Sequence, residues 1–189
     1  MRFRVLLLAA GAALTLTPLR APAQLPLSGV DLSAWVTVVS AASRNKTDDV
    51  INLLVSGKPA DDFDDDGKSG LTYAASFGNA EMARALIKYH ANVDHRDKLG
   101  DTPLHWAAER GSVDVMQLLI DGKATVDVQN RQGITPLMLA ASKGQVQAVR
   151  LLLKHAADPR KQDYTGRDAT SWAEGKANVL QALRSASAG

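Results

Sequence analysis

The sequence predicts an all-helical solenoid: a linear stack of helix–turn–helix units joined by β-turn fingers. Three observations predict it. The stretch "GDTPLHWAAERGSVDVMQLLIDGKATVDVQN" from Gly100 is answered by "GITPLMLAASKGQVQAVRLLLKHAADPRKQD" from Gly133, an offset of 33 residues. Self-similarity at a fixed period of this size marks stacked supersecondary units. Within each copy the apolar residues recur at helical spacing. Aromatic residues make up only 5% of the chain while Ala and Leu are abundant, which suits small, closely approaching helices.

The frame extends both ways. Gly67 lies 33 before Gly100 and is followed in register by "SGLTYAASFGNAEMARALIKYHANVD". Gly166 lies 33 after Gly133 and opens "RDATSWAEGKANVLQALR", which reads as shortened in its second half. Upstream, "VVSAASRNKTDDVINLLVSGKPAD" keeps Ala41-Ala42 and Leu53-Leu54 but has no turn motif. The expected domain covers 33–184, with units at about 34–66, 67–99, 100–132, 133–165 and 166–184. The three full repeats stand between degenerate caps, since terminal units must offer one face to water.

One unit serves for all. Thr102 is placed to cap the orphan amides of a first helix and Pro103 to occupy its first turn. Leu104, Ala107 and Ala108 form the packed stripe, and Gly111 turns the chain out of the helix. Val113, Met116, Leu118 and Leu119 line a second helix. "KATVDVQNRQG" returns as an extended turn. Asp64, Asp97, Asn130 and Asp163 share one phase before the finger glycines, where an Asp or Asn side chain can bond nearby amides. Asp61, Asp94 and Asp127 share another.

These residues resemble the ankyrin repeat family. The resemblance rests on "TPLHWAAERG" (102–111), "TPLMLAASKG" (135–144), the leucine pairs at 118–119 and 151–152, and "AADP" at 157–160. It covers roughly 33–184. It implies that His105 and Thr102 tie neighbouring loops together. The pattern is broken at Ser69-Gly70-Leu71-Thr72. The helix-ending glycine is present at Gly57, with His90, Lys123 and Ala156 at its other equivalents.

The amino terminus has its own logic. A basic "MRFR", the apolar run "VLLLAAGAALTLTPL" and "APA" at Ala21–Ala23 form a secretory signal pattern with cleavage after Ala23. The expectation is an exported, periplasmic protein with residues 24–32 as a linker, no stable membrane insertion after cleavage, and a frayed tail at 185–189. Removal of Arg2, Arg4 and Arg20 leaves 19 basic against 20 acidic residues. Neither that balance nor the even spread of Lys and Arg supports a nucleic-acid groove. No cysteine is present, which excludes disulfides, thiolate metal sites and a lipid-bearing cysteine anchor.

"DDFDDDG" (61–67) looks like a calcium loop. Asp62, Asp64, Asp66 and Gly67 fit positions 1, 3, 5 and 6 of such a loop, but position 12 falls on Tyr73, which has no carboxylate. The repeat claims Asp61, Asp64 and Gly67, so Asp62, Asp65 and Asp66 are surplus. The expectation is a solvated acidic fingertip, with Asp62, Asp64 and Asp66 held as a weak calcium candidate.

No nucleophile–base constellation, glycine-rich phosphate loop or zinc-protease motif is present in the sequence. The reading is therefore non-catalytic, with no cofactor. His90, His95 and His155 have no metal spacing and read as exposed loop histidines. Trp106 and Trp172 read as packing residues, and Trp35 as a seal on the leading cap. The resemblance implies a concave face of loop tips and first helices. Its variable positions here hold Phe63, Asp65, Asp66, Lys68, Phe77, Arg96, Lys98, Leu99, Asp101, Arg110, Arg131, Ile134, Lys143 and Tyr164. Aromatic and Arg side chains there suit protein anchoring. The functional expectation is a monomeric, periplasmic scaffold for a partner protein. Two other readings stand beside it: an accessory factor stabilising or assembling a periplasmic enzyme, in oxidative defence for instance, and a small-molecule or Ca²⁺-binding module.

Overall fold

The computed structural model describes residues 36–187. The signal and linker readings (1–32), Trp35 and the last two residues lie outside them. Among the described residues ten helices follow in order: α1 (Val38–Ser43), α2 (Thr47–Val55), α3 (Gly70–Phe77), α4 (Ala80–Lys88), α5 (Pro103–Arg110), α6 (Val113–Asp121), α7 (Pro136–Ser142), α8 (Val146–Lys154), α9 (Ala169–Trp172) and α10 (Ala177–Ser187).

The helices form two rows. The first helices of successive units, α1, α3, α5, α7 and α9, stack side by side, and so do α2, α4, α6, α8 and α10. Alanine makes the inner row close: Ala41-Ala42, Ala74-Ala75, Ala107-Ala108 and Ala140-Ala141 are all fully buried. Val38, Leu71, Leu104 and Leu137 recur at the period and fill the layer between rows, as do Val50, Ala83, Met116 and Val149. Burial of a side chain of Val or Leu size contributes about 1.5–3 kcal/mol. Contacts run between neighbouring units, so the core is a ribbon. In α6 the fully buried places go to Val115, Met116 and Leu119; Val113 and Leu118 are half-buried, because the buried stripe is rotated from the expected one.

Helix starts follow the caps. Ser69, Thr135 and Asp168 accept the amide three residues on. In α5 the amide of Thr102 donates to His105 Nδ1 at 3.1 Å. Helix ends require left-handed backbone at one phase: Gly57 (φ 85°), His90 (65°), Lys123 (72°) and Ala156 (63°). Three of the four carry a Cβ, and the conformation persists regardless.

Two expectations are corrected at the carboxyl end. The final unit is shortened in its first helix, not its second half: α9 has 4 residues, whereas α10 has 11. The turn glycine accordingly moves to Gly175. Ser185–Ser187 continue α10 rather than fray.

Candidate functional site: a row of fingertips

Between the helix pairs the chain makes four fingers of one design. In each, the phase Asp or Asn donates its amide to the carbonyl four residues on and receives the glycine amide three residues on. The pairs are Asp64 with Lys68 and Gly67, Asp97 with Asp101 and Gly100, Asn130 with Ile134 and Gly133, and Asp163 with Arg167 and Gly166. The side-chain Oδ1 takes two more amides: Asp66 and Lys68, Leu99 and Asp101, Gln132 and Ile134, or Thr165 and Arg167. The first finger also closes an antiparallel bridge, Phe63 to Ser69.

The second oxygen explains the aromatics. Asp64 Oδ2 accepts from the Tyr73 hydroxyl at 2.5 Å. Asp97 Oδ2 accepts from Trp106 Nε1 at 3.0 Å, and Asp163 Oδ2 from Trp172 Nε1 at 3.0 Å. The equivalent of these aromatics in the remaining unit is Leu139, which has no donor, and there the acid is the amide Asn130. Trp106 and Trp172 are thus latches between helix and finger. Lys68 lies over the Trp106 ring at 4.3 Å, so this cation of the first finger covers the latch of the second.

The electrostatics follow from these bonds. Burial alone would raise Asp64, but the Tyr73 hydroxyl and the Lys68 and Asp66 amides outweigh it and hold the carboxyl below its ordinary value. The same bond, with burial, pushes Tyr73 up to about 12. Asp163 is driven well down despite its burial by Thr165, by the Arg167 amide and by Trp172. Burial raises Asp101, opposed by the Asn130 amide that donates to it at 2.8 Å.

The fingers are laced into a ladder. The Lys98 amide donates to the Asp66 carbonyl, Arg131 to Leu99 and Tyr164 to Gln132, each at 3.0 Å and each between adjacent fingers. Asp61, Asp94 and Asp127 accept the amides of Asn92, Thr125 and Asp158 in the next unit. His105 is a further rung: its Nδ1 accepts from Thr102, which leaves the proton on Nε2 to donate to the Ile134 carbonyl at 3.0 Å. His95 makes a similar bond at Gly67 O, 2.8 Å, and stacks on Phe63.

Several expected site residues come together. Phe63, Asp65, Arg96, Lys98 and Arg131 line one open groove with Asp64, Gly67 and Asp97. Arg110 and Lys143 line another with Ser76, Trp106 and Glu109, where Lys143 pairs with Glu109 at 2.9 Å. Phe77 stacks on Tyr73. Leu99 and Asp66 sit exposed at fingertips, and Tyr164, though 73% exposed, lays its ring against Gly133.

Other residues are withdrawn. Ile134 packs against the hydrophobic core and is no surface anchor. Asp101 is half-buried and committed to Asn130. His95 and His155 are half-buried rather than exposed. Asp64 of the calcium candidate already accepts three hydrogen bonds, so the turn and Tyr73 use the oxygens a cation would need. Among the described residues no group of three or more His, Asp or Glu side chains is arranged to hold a metal. Glu109 is not singled out by its sequence position: its pairing with Lys143 joins residues 34 positions apart in adjacent units, a contact invisible in one dimension.

With the fingers and rows in place, the comparisons are specific. The family model described as "Ankyrin repeats (3 copies)" matches residues 39–130 and again 120–188. The chain belongs to the ankyrin repeat family, whose repeats serve as protein–protein interaction modules. A comparison with curated proteins finds no match.

Proposed function

We propose that this chain is a non-catalytic, monomeric scaffold that binds a partner protein in the periplasm through its fingertips and first helices. The observation that carries the binding reading is the row of exposed apolar side chains on a hydrogen-bonded frame: Phe63 at 64%, Leu99 at 53% and Tyr164 at 73% exposed. Holding such groups out in water costs hydration free energy, and the ladder keeps them in place without help from a partner. A surface already ordered loses little entropy on association. The support for export lies in the basic start, apolar run and small-x-small site of residues 1–23.

The test is affinity capture from periplasmic extract. The bait is compared with a variant carrying Phe63→Ala, Phe77→Ala, Leu99→Ala and Arg110→Ala that keeps its helical spectrum. A protein held by the first and lost by the second is the expected result. Identical sets on both baits would overturn the reading.

A further inference from the structure

We propose that the groove across the first three fingers takes an extended polypeptide segment whose charges lie in two blocks. A cationic block meets the first finger, an aromatic or aliphatic side chain lies beside Phe63, and a carboxylate meets Lys98 and Arg131. The inference rests on the interaction reading above and adds the chemistry of the occupant.

The groove is an open one of about 440 Å³. Its charges are sorted by finger. Asp65 lies on the first, Arg96 and Lys98 on the second and Arg131 on the third, in an order set by the backbone bonds from Lys98 to Asp66 and from Arg131 to Leu99. Asp64 and Asp97 also line it, but their carboxylates are spent on amides and ring donors. Among the described residues the ion pairs lie elsewhere, at Lys143–Glu109, Arg160–Asp158 and Arg167–Asp163. Asp65, Lys98 and Arg131 therefore line one groove without an ion pair among the described residues, and Asp62 and Asp66 on the same first finger have none either. Among the described residues Arg96 donates only to the neutral Gln129 carbonyl. Opposite charges held near each other by a rigid frame, yet not paired, are open to a ligand that spans both.

The wider row has the same polarity. Over residues 61–69, 94–102, 127–135 and 160–168 the formal charge runs −4, −1, 0 and +1. A second copy laid parallel on this row would set like signs face to face, and one laid antiparallel would leave most of the first finger's −4 unmatched by the +1 of the fourth. A wholly acidic segment would meet the aspartates of the first finger. A wholly basic one would satisfy that finger but press cations against Lys98 and Arg131. Only a segment with both signs in separate blocks complements the groove along its length. Phe63, fixed by its 5.6 Å stack on His95, supplies the apolar contact between the blocks.

The probes are labelled peptides titrated by fluorescence anisotropy against the protein as purified from cells. One has three lysines, Gly-Phe-Gly and three glutamates. The second has the same composition with lysine and glutamate alternating. The third and fourth carry lysine only or glutamate only. The block peptide is expected to bind at least about tenfold tighter than each of the others. Lys98→Gln with Arg131→Gln should lower its affinity to that of the lysine-only peptide. Asp62→Asn, Asp65→Asn and Asp66→Asn together should lower it to that of the glutamate-only peptide. Among the described residues none of these side chains makes a hydrogen bond, so unchanged thermal melting is the folding control. Equal binding of block and alternating peptides overturns the inference. So does lysine-only binding equal to block binding, or unchanged affinity in the folded variants. Sedimentation showing a dimer that these variants abolish would assign the groove to a second copy and overturn it too. A captured partner that ignores the charge variants but is lost with the Phe63, Phe77, Leu99 and Arg110 changes would sink this inference alone. Capture of no partner would sink the broader reading while the peptide comparison still stood.

Discussion

Asn130 shows how much one side chain depends on another 9 residues away. Its three counterparts are aspartates whose second oxygen has a ring or phenol donor; Leu139 offers none, and Asn130 turns its amide to the Asp101 carboxylate. Asn130→Asp would keep the two amides on Oδ1 but put a second oxygen with no donor beside the Asp101 carboxylate. The expected cost is about 2 kcal/mol at pH 7 in urea unfolding, shrinking as pH falls toward 4 and the pair takes up a proton. At the helix ends, Ala156 sits at φ 63° with a Cβ that favours right-handed backbone. Ala156→Gly should raise stability by up to about 1 kcal/mol, since the left-handed strain removed exceeds the entropy glycine adds. The reverse case is Gly133, at φ 79°, where a Cβ would meet the Tyr164 amide nitrogen at 2.8 Å. Gly133→Ala should lower the melting temperature and loosen the Gln132–Tyr164 rung, read as faster amide exchange at Tyr164. The phase of these turns was legible because Asp, Asn and Gly recur in it. The latches were not, because a Trp at helical spacing reads as packing until the donor and the carboxylate are seen 3.0 Å apart.

The element with the most to say is α5, opened by Thr102 and closed onto the next unit by His105. Burial lowers the His105 pKa from its ordinary 6.5, against the raising effects of the Ile134 carbonyl and Asp101. The folded state thus binds this proton less readily than the unfolded chain. Stability from His105 is full above 6.5 and falls as pH drops below it, by at most about 1.4 kcal/mol per pH unit. Asp101, raised by burial from 3.8, has the opposite sign: as pH falls it protonates first in the folded state and opposes the loss. Asp64 and Asp163, both lowered, withdraw stability only below 3.8. Chemical denaturation between pH 7 and 5.5 should show the His105 slope, and His105→Gln should abolish it. Persistence of the slope in that variant would assign it elsewhere. The helices themselves were readable from "TPLHWAAERG", since capping and Pro at the first turn are local effects. The rotation of the buried stripe of α6 toward Val115 was not, because it depends on where α4 and α8 lie.

For the repeat unit as a whole, stability is distributed along one dimension. Each layer touches its neighbours, and among the described residues the first and last layers have one neighbour each. The first unit has a six-residue first helix and the last a four-residue one. Native-state hydrogen exchange should therefore show the highest protection in α5–α8 and lower protection in α1, α9 and α10. Uniform protection along the chain would argue against a linear stack. Leu104→Ala, at a fully buried central site, should cost about 2–5 kcal/mol and open the stack from the middle.

What the sequence by itself determined is what repeats within a unit as a pattern of residue types. The 33-residue period, the two helices per unit, the alanine seam, the finger phase and the left-handed turns are local in origin and reinforced at each copy, so pattern alone exposes them. What only the tertiary structure decided is everything that crosses from one unit to the next. The ladder bonds, the His105 rung and the Lys68 cover on Trp106 join residues 29 to 38 positions apart, and the packing of Ile134 against the core is likewise set by the stack. The same is true of the groove. Asp65, Lys98 and Arg131 are about one period apart in sequence and become neighbours only because stacking converts a period along the chain into adjacency in space.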